Sequence, residues 1–143
     1  MKIKVVRRGV WSLYAACTER GDCPLLDFLY EGSWVTRAGL RPRDARTNEK
    51  VRMLARLAAV ADTGPPRNAK ICHQIDDEIW QIELGRIRIL WFYDAGKIIV
   101  LSHGFLKASA KTPEREKQTA REALRRYAEA KTSQTLEILE DRP

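Results

Sequence analysis

The chain has 143 residues and carries 26 Lys and Arg against 19 Asp and Glu, a formal net charge of +7. That length suits one domain of ordinary size, ~100–150 residues, and a positive surplus spread along the sequence favours attraction to polyanions, nucleic acid above all, although a merely basic soluble protein would have the same composition. Three cysteines without a CxxC pair suggest neither a disulfide framework nor a zinc site, no stretch reaches the ~20 apolar residues of a membrane span, and the expected location is the cytoplasm.

The first residues, MKIKVVRRGVWSLYAAC, combine basic residues, a short apolar run and a cysteine as a lipoprotein signal does. The uncharged stretch Val10 to Cys17 is too short for a convincing apolar region and Tyr14 suits the cleavage site poorly, so "KIKVV" and the run of Val10, Trp11, Leu13 and Tyr14 predict one or two opening strands. "RGDC" reads as a turn. Pro24 fits the first position of a helix through PLLDFLYEGSWVTRAG, since its missing N–H has no partner there anyway; Gly32 is an early breaker and Gly39 an end.

Thr47 or Asn48 is placed to cap a second helix, EKVRMLARLAAVAD, with Val51, Leu54, Ala58 and Ala61 at helical spacing and Met53, Leu57 and Val60 widening the stripe. Gly64 and two prolines stop it. From Ile75 to Phe105 the pattern turns to strands, EIWQIEL, RIRILWFY and KIIVLSHGF, a meander with a turn at Asp94–Lys97. Thr112 as cap and Pro113 as first residue open a last helix with Ala120, Ala123, Leu124 and Tyr127 on one face. The tail TSQTLEILEDRP is ambiguous, and the chain has no internal repeat, low-complexity segment or dividing linker.

With Ala95-Gly96 as a two-residue hairpin loop, Asp94 faces Lys97, Arg88 faces His103 and Arg86 faces Phe105. Alternation then gives Lys107 the same side as His103 and Phe105, and sends Ile87, Ile89, Trp91, Ile98 and Val100 to the other. Leu90, Phe92, Ile99 and Leu101 share the side of the basic group nearer the turn. Each of Arg86, Arg88, His103, Lys107 and Lys111 has an ordinary structural reading, as a solvated strand residue or a satisfied core histidine. Together they describe an electropositive concavity with Phe105 available to stack on a base, which suits RNA.

The stretch GRIRILWFYDAGKIIVLSHGFLKASAKTPEREKQTAREALRRY, with CPLLDFL and IWQIEL before it, resembles the phage-derived Gp49-like branch of the RelE/HigB toxin superfamily. The shared features are an Arg-aromatic strand, a Leu-His-Gly-Phe element, paired lysines and Lys-Thr-Pro, over about residues 10–128. The resemblance implies an α+β fold of microbial RNase type: one compact domain over residues 1–143, an antiparallel sheet with two helices from the N-terminal half on one face, a C-terminal helix, and residues 129–143 as an extension. It also implies metal-independent cleavage of mRNA on the translating ribosome, no cofactor, and a cognate helix-turn-helix antitoxin. By position, Arg88 is the family's strand arginine, Lys107 the first of the paired lysines and Lys111 the lysine of Lys-Thr-Pro. Ala108 replaces the second paired lysine, and Gln81 and Glu83 replace a Glu and an Arg of the Trp strand; these changes weaken phosphate binding if they face the site, unless Arg86 compensates.

Metal-free RNA cleavage uses the 2′-OH as nucleophile, so it needs a base, an acid and cations around the phosphorane. Arg88, Lys107, Lys111, His103 and Tyr127 are the candidates for catalysis. Arg86, Phe105, Arg121 and Arg125 are the candidates for RNA binding. No phosphate-binding Gly-rich loop or GxSxG turn is present, and Asp76-Asp77-Glu78 reads better as a solvated turn than as a cation site. The competing readings are a basic module that binds nucleic acid or an antitoxin without cleaving, and an inhibitor that acts by protein contact alone.

Overall fold

The central strands are apolar on both faces, and the fold covers both. In the computed structural model, which describes residues 1–30 and 45–140, the chain runs β1 (Lys2–Arg8), β2 (Ser12–Cys17), α1 (Pro24–Tyr30), α2 (Ala45–Thr63), β3 (Cys72–Asp76), β4 (Ile79–Leu84), β5 (Ile87–Asp94), β6 (Ile98–Leu106), α3 (Glu114–Thr132) and β7 (Glu137–Leu139). The strands among these residues form one sheet in the order β3-β4-β5-β6-β2-β1-β7. The class is α+β as expected. The sheet is mixed and not purely antiparallel, because β2 runs parallel to β6 and β1 parallel to β7. The long connections through helices make these parallel neighbours possible.

One face of the sheet buries Leu13, Ile89, Trp91 and Leu101 against Leu25 and Leu29 of α1 and Met53, Leu57 and Val60 of α2. The other buries Tyr14, Leu90, Phe92 and Val100 against Ala120, Ala123 and Tyr127 of α3. On α2 the buried stripe centres on Met53, Leu57, Val60 and Ala61, while Val51 is exposed. That helix already includes Thr47 and Asn48, so neither caps it. The continuation of the first helix toward Gly39 lies outside the described residues.

Three further expectations change. Pro113, in extended backbone, takes the N-cap place of α3 without a side-chain cap; Thr112 instead donates its hydroxyl to Gln81 Oε1 at 2.6 Å. Cys17 and Cys23 are joined by a disulfide, because the turn closed by Thr18 N–H to Asp22 O, with Gly21 at positive φ, brings the end of β2 to the start of α1. The ambiguous tail contributes the short edge strand β7 beside β1.

The β5–β6 hairpin also differs. Asp94 faces Ile98, with Gly96 and Lys97 both at positive φ in a three-residue loop. Farther from the turn the register shifts again between Leu90 and Trp91, so Ser102 is an extra residue on β6. Arg88 therefore faces Phe105, and Leu90 faces His103. Beyond the bulge Gly104 turns toward α1, where an added Cβ would lie 2.7 Å from Phe28 Cδ2 and 3.2 Å from Leu25 Cδ1. Gly104→Ala is expected to cost about 1–3 kcal/mol by overpacking, read as a lower midpoint in urea denaturation followed by circular dichroism.

Candidate nucleic-acid interface

Beyond the Ser102 bulge, β6 runs out at Leu106 and the chain arcs over the ends of β3, β4 and β5 before α3 begins. An open cleft of about 820 Å³ lies beneath this arc. Lys70, Arg88, Lys107, Lys111 and Lys117 line it against the carboxylates of Glu83 and Glu114, and Phe105 supplies an aromatic wall. A cleft whose cations outnumber its anions concentrates positive potential where a phosphate backbone would lie.

Arg88 is buried, and its surroundings show how a guanidinium is kept there. Its Nη1 donates to the carbonyls of Gly85 at 2.7 Å and Ile87 at 3.0 Å, and Nε lies 3.3 Å from Glu83 Oε2. Glu83 Oε2 also accepts from Gln81 Nε2 at 3.0 Å, and Gln81 in turn accepts from Thr112. The three positions at which the resemblance lapses, Gln81, Glu83 and Ala108, all line the cleft.

The cleft brings together Arg88, Phe105, Lys107 and Lys111, and the other candidate residues lie elsewhere. Arg86 is exposed and donates to the carbonyl of Lys107 at 3.4 Å, beside the cleft and outside its lining. His103 lines a second cavity of about 730 Å³, with Cys17, Pro24, Arg115 and Arg126. Its Nδ1 shares a 2.9 Å bond with Ser102 Oγ, and its Nε2 lies 3.1 Å from Glu116 Oε1. Burial pulls its pKa below the ordinary value, with Glu116 acting in the opposite direction.

Tyr127 donates to Asp94 Oδ2 at 2.5 Å near the hairpin turn, where Lys131 also binds that carboxylate. Burial and the bond to Asp94 raise its pKa, so the hydroxyl stays protonated. Arg121 is paired with Asp76 and Glu114, and Arg125 with Glu122 and Glu129. Both arginines are engaged on the surface of α3. Asp76 is held by Arg121, with its pKa lowered by the backbone N–H of Asp77 as well as by that arginine.

Sequence reasoning missed Lys70, His73 and Lys117, all of which line the cleft. His73 stands opposite Gln81 in the β3–β4 ladder, and its Nδ1 is buried without a hydrogen-bond partner. The available signal was the pair of segments CHQID and IWQIEL across Asp77-Glu78, where Glu78 adopts positive φ in the turn. Counting back from that turn puts His73 opposite Ile82, and the irregularity between Gln74 and Asp76 moves it by one, to Gln81.

A model of the family described as Phage derived protein Gp49-like (DUF891) matches residues 43–125, more than half of the chain. The chain belongs to that family. The Gp49-like family sits in the toxin–antitoxin-related group of RelE/HigB-type folds. No curated protein matches this Gp49-like chain. The matched span runs from α2 through β6 into α3, and so contains every residue that lines the candidate cleft. Among the described residues no helix is long and apolar enough to cross a membrane.

The buried histidine of the second cavity gives a pH test. His103 takes up its proton at lower pH in the folded than in the unfolded chain, where the ordinary value is about 6.5. As pH falls below about 6.5 the unfolded chain binds that proton first, and stability declines until the folded pKa is passed. His103→Gln is expected to flatten that part of the curve of Tm against pH, measured by differential scanning fluorimetry.

Proposed function

We propose that this Gp49-like protein is the toxin of a type II toxin–antitoxin pair and cleaves mRNA on the translating ribosome, in the cytoplasm, without a metal. The observation that carries the reading is the convergence of Arg88, Lys107 and Lys111 with Phe105 in one cleft. Three cations are suited to hold the scissile phosphate and to stabilise the charge of a phosphorane, and an aromatic wall can stack a base. Arg88 is held rigidly by two carbonyls and a carboxylate, as a positioning group should be, while the lysines come from the arc that closes the site. His103, Tyr127, Arg86, Arg121 and Arg125 support this activity from outside the cleft, as packing or surface contacts.

The excess of positive charge suits neutralisation by an acidic segment of a cognate helix-turn-helix antitoxin. A single domain over residues 1–143 belongs to the same reading. One observation favours the competing reading of a module that binds without cutting: Glu83 occupies Arg88 from within the cleft.

Mapping of 5′ ends in cellular transcripts after brief induction separates the two. New ends inside translated frames are expected with the natural protein and not with the Arg88→Ala/Lys107→Ala double variant. Unchanged ends with folded, expressed protein would leave the binding module.

A further inference from the structure

Glu83 and His73 stand in the cleft with no task in a purely cationic mechanism. Glu83 is only a quarter exposed, and its bonds from Arg88 Nε and Gln81 Nε2 both fall on Oε2. Among the described residues Oε1 has no hydrogen bond. A carboxylate fixed in this way keeps one oxygen ready to accept a proton. His73 differs from His103 in the same respect. Both ring nitrogens of His103 are engaged, whereas His73 lines the cleft with a buried, unpartnered Nδ1. A buried polar atom left so is unfavourable until it finds a partner.

The ladder relates the two. His73 faces Gln81, and Glu83 is the next residue on the same side of β4. Such diagonal neighbours across an antiparallel pair lie about 7–8 Å apart. That separation leaves room for a phosphate between them, with Arg88 beside Glu83 to neutralise it.

Resting on the reading of the cleft as an RNA-cleaving site, we infer that Glu83 is its general base and His73 its general acid. Glu83 Oε1 removes the 2′-hydroxyl proton, and the 2′-oxygen forms a bond to phosphorus. The bond from phosphorus to the 5′-oxygen breaks, and protonated His73 delivers its proton to that leaving oxygen. The products are a 2′,3′-cyclic phosphate and a 5′-hydroxyl; solvent then removes the proton from Glu83 and restores that of His73. Arg88 holds the non-bridging oxygens, and the lysines offset the charge of the phosphorane.

The test uses the full-length protein with a synthetic oligoribonucleotide, free in solution and as the message of a programmed ribosome. The readouts are single-turnover rate against pH, end chemistry and binding affinity. The natural protein is expected to yield cyclic phosphate ends with a bell-shaped profile. Glu83→Gln should lose at least ~100-fold in rate and the acidic limb of the bell, while RNA binding stays equal or tightens. His73→Ala should lose a similar factor and the basic limb, with partial recovery on addition of imidazole; unchanged Tm values show that both variants fold.

Cleavage by Glu83→Gln at the natural rate or faster would overturn the proposal, since Glu83 would then only screen Arg88. Survival of both limbs in the His73 variant would overturn it too. In either case the cleavage reading still stands. Intact RNA in both formats with the natural protein would remove the cleavage reading itself, and the proton-transfer roles with it.

Discussion

The register of β5 against β6 is the constraint on which the molecule depends. The three-residue loop moves every partner by one position relative to a two-residue turn, and the extra Ser102 moves them by one more. A shift of one residue reverses which face a side chain occupies, and a second shift reverses it again. Near the turn, Ile99 and Leu101 therefore pack with Trp91 toward α1 and α2, and Val100 packs with Leu90 and Phe92 toward α3. Beyond the bulge Phe105 turns to the face of Arg88, and Gly104 gives α1 its close approach. Were Ser102 paired in register with Leu90 instead of bulged, Phe105 would face Ile87 on the side of α1 and Arg88 would face Gly104.

That arrangement carries an electrostatic requirement. A guanidinium buried beside apolar strands must have its donors met, since an unpaired buried charge is far costlier than an unpaired dipole. Gly85, at φ +57, turns the chain so that its carbonyl reaches Arg88, and Glu83 supplies the countercharge. Gln81 and Thr112 extend the same network to the arc before α3. The network ties the floor of the cleft to its roof. At the other end of β5 the group of Asp94, Tyr127 and Lys131 fastens α3 to the hairpin turn, and in the middle the His103–Glu116 contact holds the helix to β6. The tilt of α3 over the sheet is thus fixed at the hairpin turn and at β6, by residues that in sequence resemble catalytic groups, and the Arg121–Asp76 pair ties the same helix to β3.

How far the sequence could be read follows from what each feature depends on. Strand and helix identities come from local periodicity, and they were legible: the Ile- and Val-rich runs are strands and the Ala- and Arg-rich stretch is α3. The convergence of Arg88, Phe105, Lys107 and Lys111 was legible because two one-residue errors restore face parity, although the partner of Arg88 proved to be Phe105 and not His103. The placement of His103 and Tyr127 was not, since a histidine bonded to Glu116 or a tyrosine bonded to Asp94 depends on contacts 13 and 33 residues apart. The cysteine pair escaped for a similar reason, because spacing alone does not reveal a turn that brings β2 to α1. His73 was missed because CHQID was not read as a strand, so its partner across the turn was not counted.

The family match and the local chemistry bear on different levels. Membership spans the elements that build the cleft. The carboxylate of Glu83 lowers the field that a phosphate experiences, and at the same time places a proton acceptor next to the arginine that would orient that phosphate. Those two consequences act in opposite directions: the first weakens attraction for RNA, which four lysines around the rim still provide, and the second can raise the rate once RNA is bound. A binding protein gains nothing from the second, whereas an enzyme can accept weaker ground-state binding in return for stabilising the transition state. The carboxylate at position 83 is thus the residue at which the two readings of this cleft part.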